Sequence, residues 1–325
     1  MIDTIKTATE TTRPLAAVWR GQTVPIASMI VILLFLPFIA YPVLVMKALC
    51  FALFACAFNL LIGYVGLLSF GHALFLGSAS YAAAHAAKVW GAPTELAILF
   101  GTAASSVLGL VVGALAIRRQ GIYFAMITLA LAQMAYFFYL QAPFTGGEDG
   151  IQAVPRGRMF GLLDLAETRT LYFVVLVIFI IGFLLIYRAI HSPFGQVLKA
   201  VRENEARAIS LGYKPDHYKL IVFVISAALS GLAGATKAIV FQLASLTDVY
   251  WTTSGEVILM TLLGGMGTIF GPVVGAFIIV ILENYLAARL GAWVQVVEGF
   301  IFVLCVLTFR RGIVGELGRW LKRPL

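Results

Sequence analysis

Few residues of this 325-residue chain have types and spacings suited to chemistry. Two glycine-rich stretches interrupt apolar runs. One is Gly63-Tyr64-Val65-Gly66-Leu67-Leu68-Ser69-Phe70-Gly71-His72, continuing to Gly77. The other is Leu263-Gly264-Gly265-Met266-Gly267-Thr268-Ile269-Phe270-Gly271-Pro272, continuing to Gly275. Glycine opens the backbone or lets helices touch, and in a bilayer the freed carbonyls are tolerated only where protein or a cavity covers them. Two readings stay open: close helix packing, or broken helices beside a solute pathway. On the second reading the pathway residues are Gly66, Ser69, Phe70, Gly71, His72, Thr128, Gly264, Gly265, Gly267 and Thr268.

Other chemistry is missing. There is no GxxxxGK[ST] loop for ATP phosphates, no HExxH and no GxSxG. Gly265-Met266-Gly267 follows no soluble strand and lacks a third glycine, so it is not a dinucleotide fingerprint. Cys50, Cys56 and Cys305 form no CxxC and all lie in apolar runs, which supports neither a disulfide framework nor a zinc site. His72, His85, His191 and His217 are scattered. The expectation is a chain without a catalytic site, a metal or a cofactor of its own.

The stretch 188–219 is the most informative polar segment. Ser192-Pro193 reads as a helix start, with serine capping the first amides and proline at the first helical position. Gly212 reads as the stop. Between them Phe194, Val197, Leu198, Val201, Ala208 and Ile209 recur near helical spacing, with Lys199, Arg202, Glu203, Asn204 and Arg207 on other faces. The spacing predicts one amphipathic helix of about 19 residues. It fits a helix on the inner leaflet, a packed loop, or a docking helix for a soluble partner. The mixed charge of Arg202, Glu203, Glu205 and Arg207 favours a protein groove over an anionic lipid surface.

The elements that hold these segments follow from composition. Hydrophobic residues make up 61% of the chain and charged ones 12%, about half the soluble norm, with mean hydropathy +0.98. The fold class expected is an all-α polytopic membrane protein. Apolar runs long enough for about 30 Å of hydrocarbon fall at 26–46, 66–88, 96–117, 121–141, 171–189, 219–242, 270–289 and 294–309. Shorter runs at 48–63 and 255–267 abut the glycine breaks and bring the count to ten. The run at 26–46 is too long for a signal peptide and no cleavage site follows it, so it reads as a retained crossing after an N-terminal segment 1–25.

Ten crossings place both termini on one side. Segments 1–25, 118–120, 188–219 and 310–325 hold sixteen of the 23 Lys and Arg but six of the 15 acids. The positive-inside rule makes that side cytoplasmic, so the net charge of +8 is a topology signal and needs no nucleic acid. The membrane domain is then 26–309, with an outer loop 142–170, a cytoplasmic loop 188–218 and a basic tail 310–325. The outer loop is a connector or a docking lid. Five crossings on either side of it leave a 5+5 inverted repeat open. Glu256, Glu283, Glu298 and Lys237 fall toward the outer leaflet, and Lys237 with Glu283 is the expected ion pair.

These residues also carry a family likeness. Gly66-Leu67-Leu68-Ser69-Phe70-Gly71-His72-Ala73, Gly121-Ile122-Tyr123-Phe124-Ala125-Met126-Ile127-Thr128-Leu129-Ala130 and Thr145-Gly146-Gly147 through Gly150-Ile151 come first. Ser192 through Ala206, Leu211-Gly212 and Leu259 to Gly275 follow in order. This succession, covering about 60–310, resembles the LivM-type permeases of branched-chain amino acid ABC importers. The resemblance implies a bacterial inner-membrane permease paired with a second, LivH-like permease, two cytoplasmic ATPase subunits and a periplasmic binding protein. ATP and Mg would sit on the ATPases. It implies a coupling role for Phe194, Val197, Leu198, Val201, Arg202, Glu203, Glu205, Ala206 and Gly212. One departure is that Gly212 follows Glu205 by seven residues, where the general importer loop has six. The implied solutes are branched-chain or other hydrophobic amino acids, with urea, short amides and aromatic or carboxylic acids as alternatives. An ion-coupled secondary carrier and a membrane enzyme acting on lipid are the rivals from other classes.

Overall fold

The computed structural model describes the backbone of residues 15–320 except 160, 162, 294, 295, 298, 301, 302 and 304–311, and, within these, side chains from residue 25 onward except 288, 290, 292 and 317. Segment 1–14, much of the expected crossing 294–309, Glu298 and parts of the 310–325 tail lie outside the described residues.

Among the described residues, twelve α-helices are taken in chain order. They are α1 Leu15–Phe35, α2 Pro42–Tyr64, α3 His72–Lys88, α4 Thr94–Ala116, α5 Ile122–Gln141 and α6 Thr168–Ile190. Then come α7 Pro193–Glu203, α8 Glu205–Ser210, α9 Pro215–Phe241, α10 Trp251–Gly264, α11 Gly271–Leu290 and α12 Gly312–Trp320. Five of them, α2, α4, α5, α6 and α9, are long and apolar enough to cross a bilayer. Within these runs every backbone amide must be satisfied internally, which leaves the helix as the only spanning conformation of a single chain segment. The chain is an all-α polytopic membrane protein.

Several boundaries differ from the hydropathy reading. The first turn comes at 39–41, before Pro42, so the short run 48–63 is the core of the 23-residue α2. A turn needs polar or strained backbone, and hydropathy averaged over 26–63 is blind to it. The helix expected from 66 starts only at His72, because residues 65–71 are non-helical. The run 255–267 lies mostly in α10, whose 14 residues rise about 21 Å, short of a full hydrocarbon thickness. Helix α1 starts at Leu15, ahead of the expected 26, and passes through Pro25.

Two helices form the centre. Helix α2 is apolar and buried nearly all round, and α9 packs along α4, α3 and α2. Lipid tails are as apolar as leucine, so close packing and interhelical hydrogen bonds must hold such helices together. Three serine hydroxyls do so by donating to carbonyls of a neighbour: Ser105 to Ala227 at 2.7 Å, Ser80 to Gly234 at 2.8 Å and Ser226 to Ala57 at 2.6 Å.

The connections gather at two ends. One, the loop face, carries 117–121 and 190–214. The other, the strand face, carries 142–167 and 242–250. There two-residue strands pair antiparallel, β1 Ile151–Gln152 with β4 Leu243–Ala244 and β2 Arg158–Met159 with β3 Leu163–Asp164. Arg156 donates to the carbonyls of Val240 at 2.6 Å and Ile239 at 3.4 Å, neutralising the negative end of α9.

Candidate functional site

The candidate site is the loop face, where α7, α8 and both glycine stretches meet. Its first half forms as its sequence dictates. Ser192 accepts from the Gly195 amide at 3.4 Å, and Pro193 opens α7. The expected single helix is split, however. Asn204 is extended (φ −157°) and its side chain accepts from the Arg207 amide at 2.9 Å, capping a second helix, α8. Asparagine competes for backbone amides and so favours caps over helix interiors. Gly212 (φ +87°) ends the unit in the left-handed conformation that suits glycine.

The apolar face of α7 is spent within the chain. Leu198 and Val201 are buried, Val197 is half-buried, and half-buried Phe194 stacks on Tyr218 at 5.8 Å. Lys199 sits 5.6 Å over the Tyr64 ring, and burial pushes its ammonium below the usual lysine range while Glu203 opposes the shift. Glu205 is half-buried, paired with Lys219 at 2.7 Å and accepting from Gln120 at 3.0 Å. It thereby ties α8 to the start of α9 and to the 117–121 turn. Glu203, Ala206 and Gly212 are exposed, as are Arg207, Ile209 (57%) and Leu211 (67%).

Arg202 links this unit to the membrane helices. Its guanidinium donates to the Gly63 carbonyl at the C-terminal end of α2, where a cation also meets the helix dipole. It borders Gly66 and Gly267, so one side chain touches both glycine stretches. The stretches themselves meet. A Cβ placed on Gly63 would lie 2.8 Å from the Gly267 nitrogen, an approach only glycine permits. Asn59, missed in the sequence, bridges them: its amide donates to the Thr268 carbonyl at 2.8 Å and accepts from the Gly267 N–H at 2.9 Å. A signal existed, since a lone amide in a 23-residue apolar helix is costly in hydrocarbon without partners.

The remaining pathway candidates divide. Gly66, Phe70, Gly267 and Thr268 are exposed or half-buried at this junction, whereas Ser69, Gly71, Thr128, Gly264 and Gly265 are buried. Their hydroxyls serve backbone. Thr128 accepts from the Phe70 amide at 3.2 Å, Ser69 from Gly71 at 3.3 Å and Thr268 from Gly271 at 3.1 Å. His72 is fully buried, with Phe58, Phe75 and Phe223 set edge-on around it. Ser226 gives its proton to Ala57, so Nε2 of His72 carries the hydrogen that reaches Ser226 at 2.9 Å.

The expected Lys237–Glu283 pair is not formed. Lys237 pairs with Asp248, and Glu283 pairs with Lys47 at 2.8 Å. Both ammonium groups flank the Phe51 ring, at 5.3 and 5.9 Å. Asp248 lies eleven residues beyond Lys237 at the strand face, within reach as soon as the chain turns at Gln242. Among the described residues no group of His, Cys, Asp and Glu could hold a metal ion.

Comparison with known proteins gives one family. The model described as branched-chain amino acid transport system, permease component, matches residues 43–306. The chain is 26% identical over 279 residues to the high-affinity branched-chain amino acid transport system permease protein LivM of Salmonella typhimurium, and equally to that of Escherichia coli. Each match covers 79% of this chain and 65% of the relative, so the chain spans just under two thirds of their length. A probable branched-chain amino acid transport permease protein LivH of Methanocaldococcus jannaschii is 28% identical over 51% of this chain and 53% of its own. No solved structure matches.

Proposed function

This chain belongs to the family of branched-chain amino acid transport permease components, and from that premise we propose that it is the membrane permease subunit of an ATP-driven importer. The solute is a branched-chain or other hydrophobic amino acid, and the membrane is the bacterial inner one. The partners are a second, LivH-like permease, two cytoplasmic ATPases that hold ATP and Mg, and a periplasmic binding protein. The loop face is cytoplasmic on this reading and carries both termini, with ten crossings in all.

The observation that carries the proposal is the α7–α8 unit. Its apolar residues anchor it to the membrane helices, while Glu203, Ala206, Arg207, Ile209 and Leu211 remain exposed on a face rich in positive charge. An ATPase groove that grips α8 when ATP closes it pulls on α7. Arg202 passes the movement to the Gly63 carbonyl, and the Asn59 bridge carries it to 264–271. For ATP to change access, the gripped position of α7 must favour one arrangement of the glycine junction over the other. The packing also supports an inverted 5+5 repeat: α2 on α11 matches α9 on α4, α3 on α4 matches α10 on α11, and α2 and α9 meet at the centre.

Mild-detergent co-purification from the native membrane tests the class. An accompanying ATPase and second permease are expected, and a chain that purifies alone and folded refutes it in favour of a secondary carrier. The coupling role predicts that Arg202→Ala with Glu205→Ala leaves ATP hydrolysis running without uptake. Normal uptake at normal complex levels would overturn that role.

A further inference from the structure

Near the strand face, α3 carries Ser78, Tyr81 and His85 on one side, spaced three and four residues apart. Tyr81 is 2% exposed, yet its hydroxyl has no hydrogen-bond partner, and Nδ1 of His85 is buried without one as well. A buried tyrosine hydroxyl ordinarily finds a partner, and one that does not calls for an explanation. In a membrane domain the default explanation for such polar groups is function. Rings from other parts of the chain surround them. Tyr139 of α5 stacks on Tyr81 at 4.8 Å with planes 10° apart, and Tyr136 meets Tyr250 at 5.0 Å. Phe144 and Trp90 stand edge-on to His85 at 6.1 and 5.5 Å.

Helix α5 closes this place off with its less buried end. Its buried residues, Phe124, Ala125, Thr128 and Ala132, lie in the part nearer the loop face, while Tyr136 and Tyr139 beyond them are half-buried. The helix is clamped to its neighbours at one end and loosely seated at the other. Its looser end covers the unpartnered Tyr81 hydroxyl.

We infer that Ser78, Tyr81 and His85, with the rings of Tyr136 and Tyr139, form a solute contact in the strand-face half of the translocation pathway, a statement that rests on the importer reading above. The hydroxyls and the imidazole suit a carboxylate or carbonyl oxygen, and the rings suit an aliphatic or planar body. None of the five residues is an acid, a lysine or an arginine. The Asp248 carboxylate of the strand face is already paired with Lys237. The site therefore fits a small solute of zero net charge, neutral or zwitterionic.

Two measurements on the whole complex in open membrane fragments and vesicles test this. Ser78→Cys should react with a charged methanethiosulfonate reagent above the background of the parent chain, and Ala79→Cys, fully buried on another side of α3, should not. No reaction at position 78, with Ala166→Cys on the exposed strand-face connection reacting as a control, overturns the site. Tyr81→Phe keeps the ring on Tyr139 and removes only the hydroxyl. Labelled leucine uptake at low concentration should fall about five- to tenfold, with complex content unchanged. Uptake equal to the parent's overturns the contact even if position 78 reacts. If the parent itself takes up no leucine, the amino-acid reading falls, and the labelling result alone upholds or overturns the site.

Discussion

Replacing Asn59 by leucine isolates the bridge between the two glycine stretches. The side chains are close in volume, and the position is 3% exposed, so packing is largely kept. What goes is a pair of hydrogen bonds, to the Thr268 carbonyl at 2.8 Å and from the Gly267 amide at 2.9 Å. Each backbone group left without a partner costs about 1–3 kcal/mol when fully buried. Gly267 and Thr268 are half-buried, so water recovers part of the loss, and the total expected is about 2–3 kcal/mol. At a fixed scan rate in detergent, the apparent unfolding midpoint should drop by roughly 4–10 °C. Amide exchange at 264–271 should accelerate more than in α4, which the bridge does not touch. Asn59→Asp can still accept from Gly267 but sets a carboxylate against the Thr268 carbonyl, so it should lose at least as much. A leucine variant with parental midpoint and parental protection at 264–271 would refute the bridge as the tie between the stretches.

Four further outcomes follow from the same geometry. Gly63→Ala drives a methyl to 2.8 Å from the Gly267 nitrogen and should cost about 1–3 kcal/mol, read as lost complex abundance and a lower midpoint. Gly255→Ala, which meets nothing within 4 Å, should be neutral in the same assay. Lys219→Met strands the half-buried Glu205 carboxylate and should destabilise more than Lys219→Met combined with Glu205→Gln, a non-additivity measurable in a double-mutant cycle. Burial lowers the folded-state pKa of Lys199 below its ordinary 10.5, so keeping it charged costs stability at neutral pH, and that cost fades as the pH rises toward 10.5. Lys199→Met should therefore raise the midpoint most near pH 7, with the gain narrowing by pH 10.5; a gain that grows with pH would contradict this.

Much of the architecture was legible in the residues alone. Hydropathy is a sum over neighbours in sequence, and a bilayer imposes it directly, so the apolar runs and the all-α class could be read without coordinates. Local capping chemistry was equally legible. Ser192, Pro193 and Gly212 act within a turn of themselves, and they bound the loop unit where expected. Asn204 was visible too, but its power to split that unit depends on whether its side chain faces the backbone or a neighbour.

What only the tertiary structure decided are choices among distant partners. Lys237 had carboxylates on several helices to choose from and took Asp248. Asn59 reaches residues more than two hundred positions away. His72 lies fully buried and meets Ser226 of a helix 154 residues further along the chain. Arg202 was placed on a polar face of the loop helix, but its hold on the end of α2 was not visible. The reason is physical. Local sequence sets the cost of exposing or burying a group, but the partner that offsets the cost is chosen by which helices pack together, and in a membrane that packing rests on shape and scattered hydrogen bonds that no period of the sequence records.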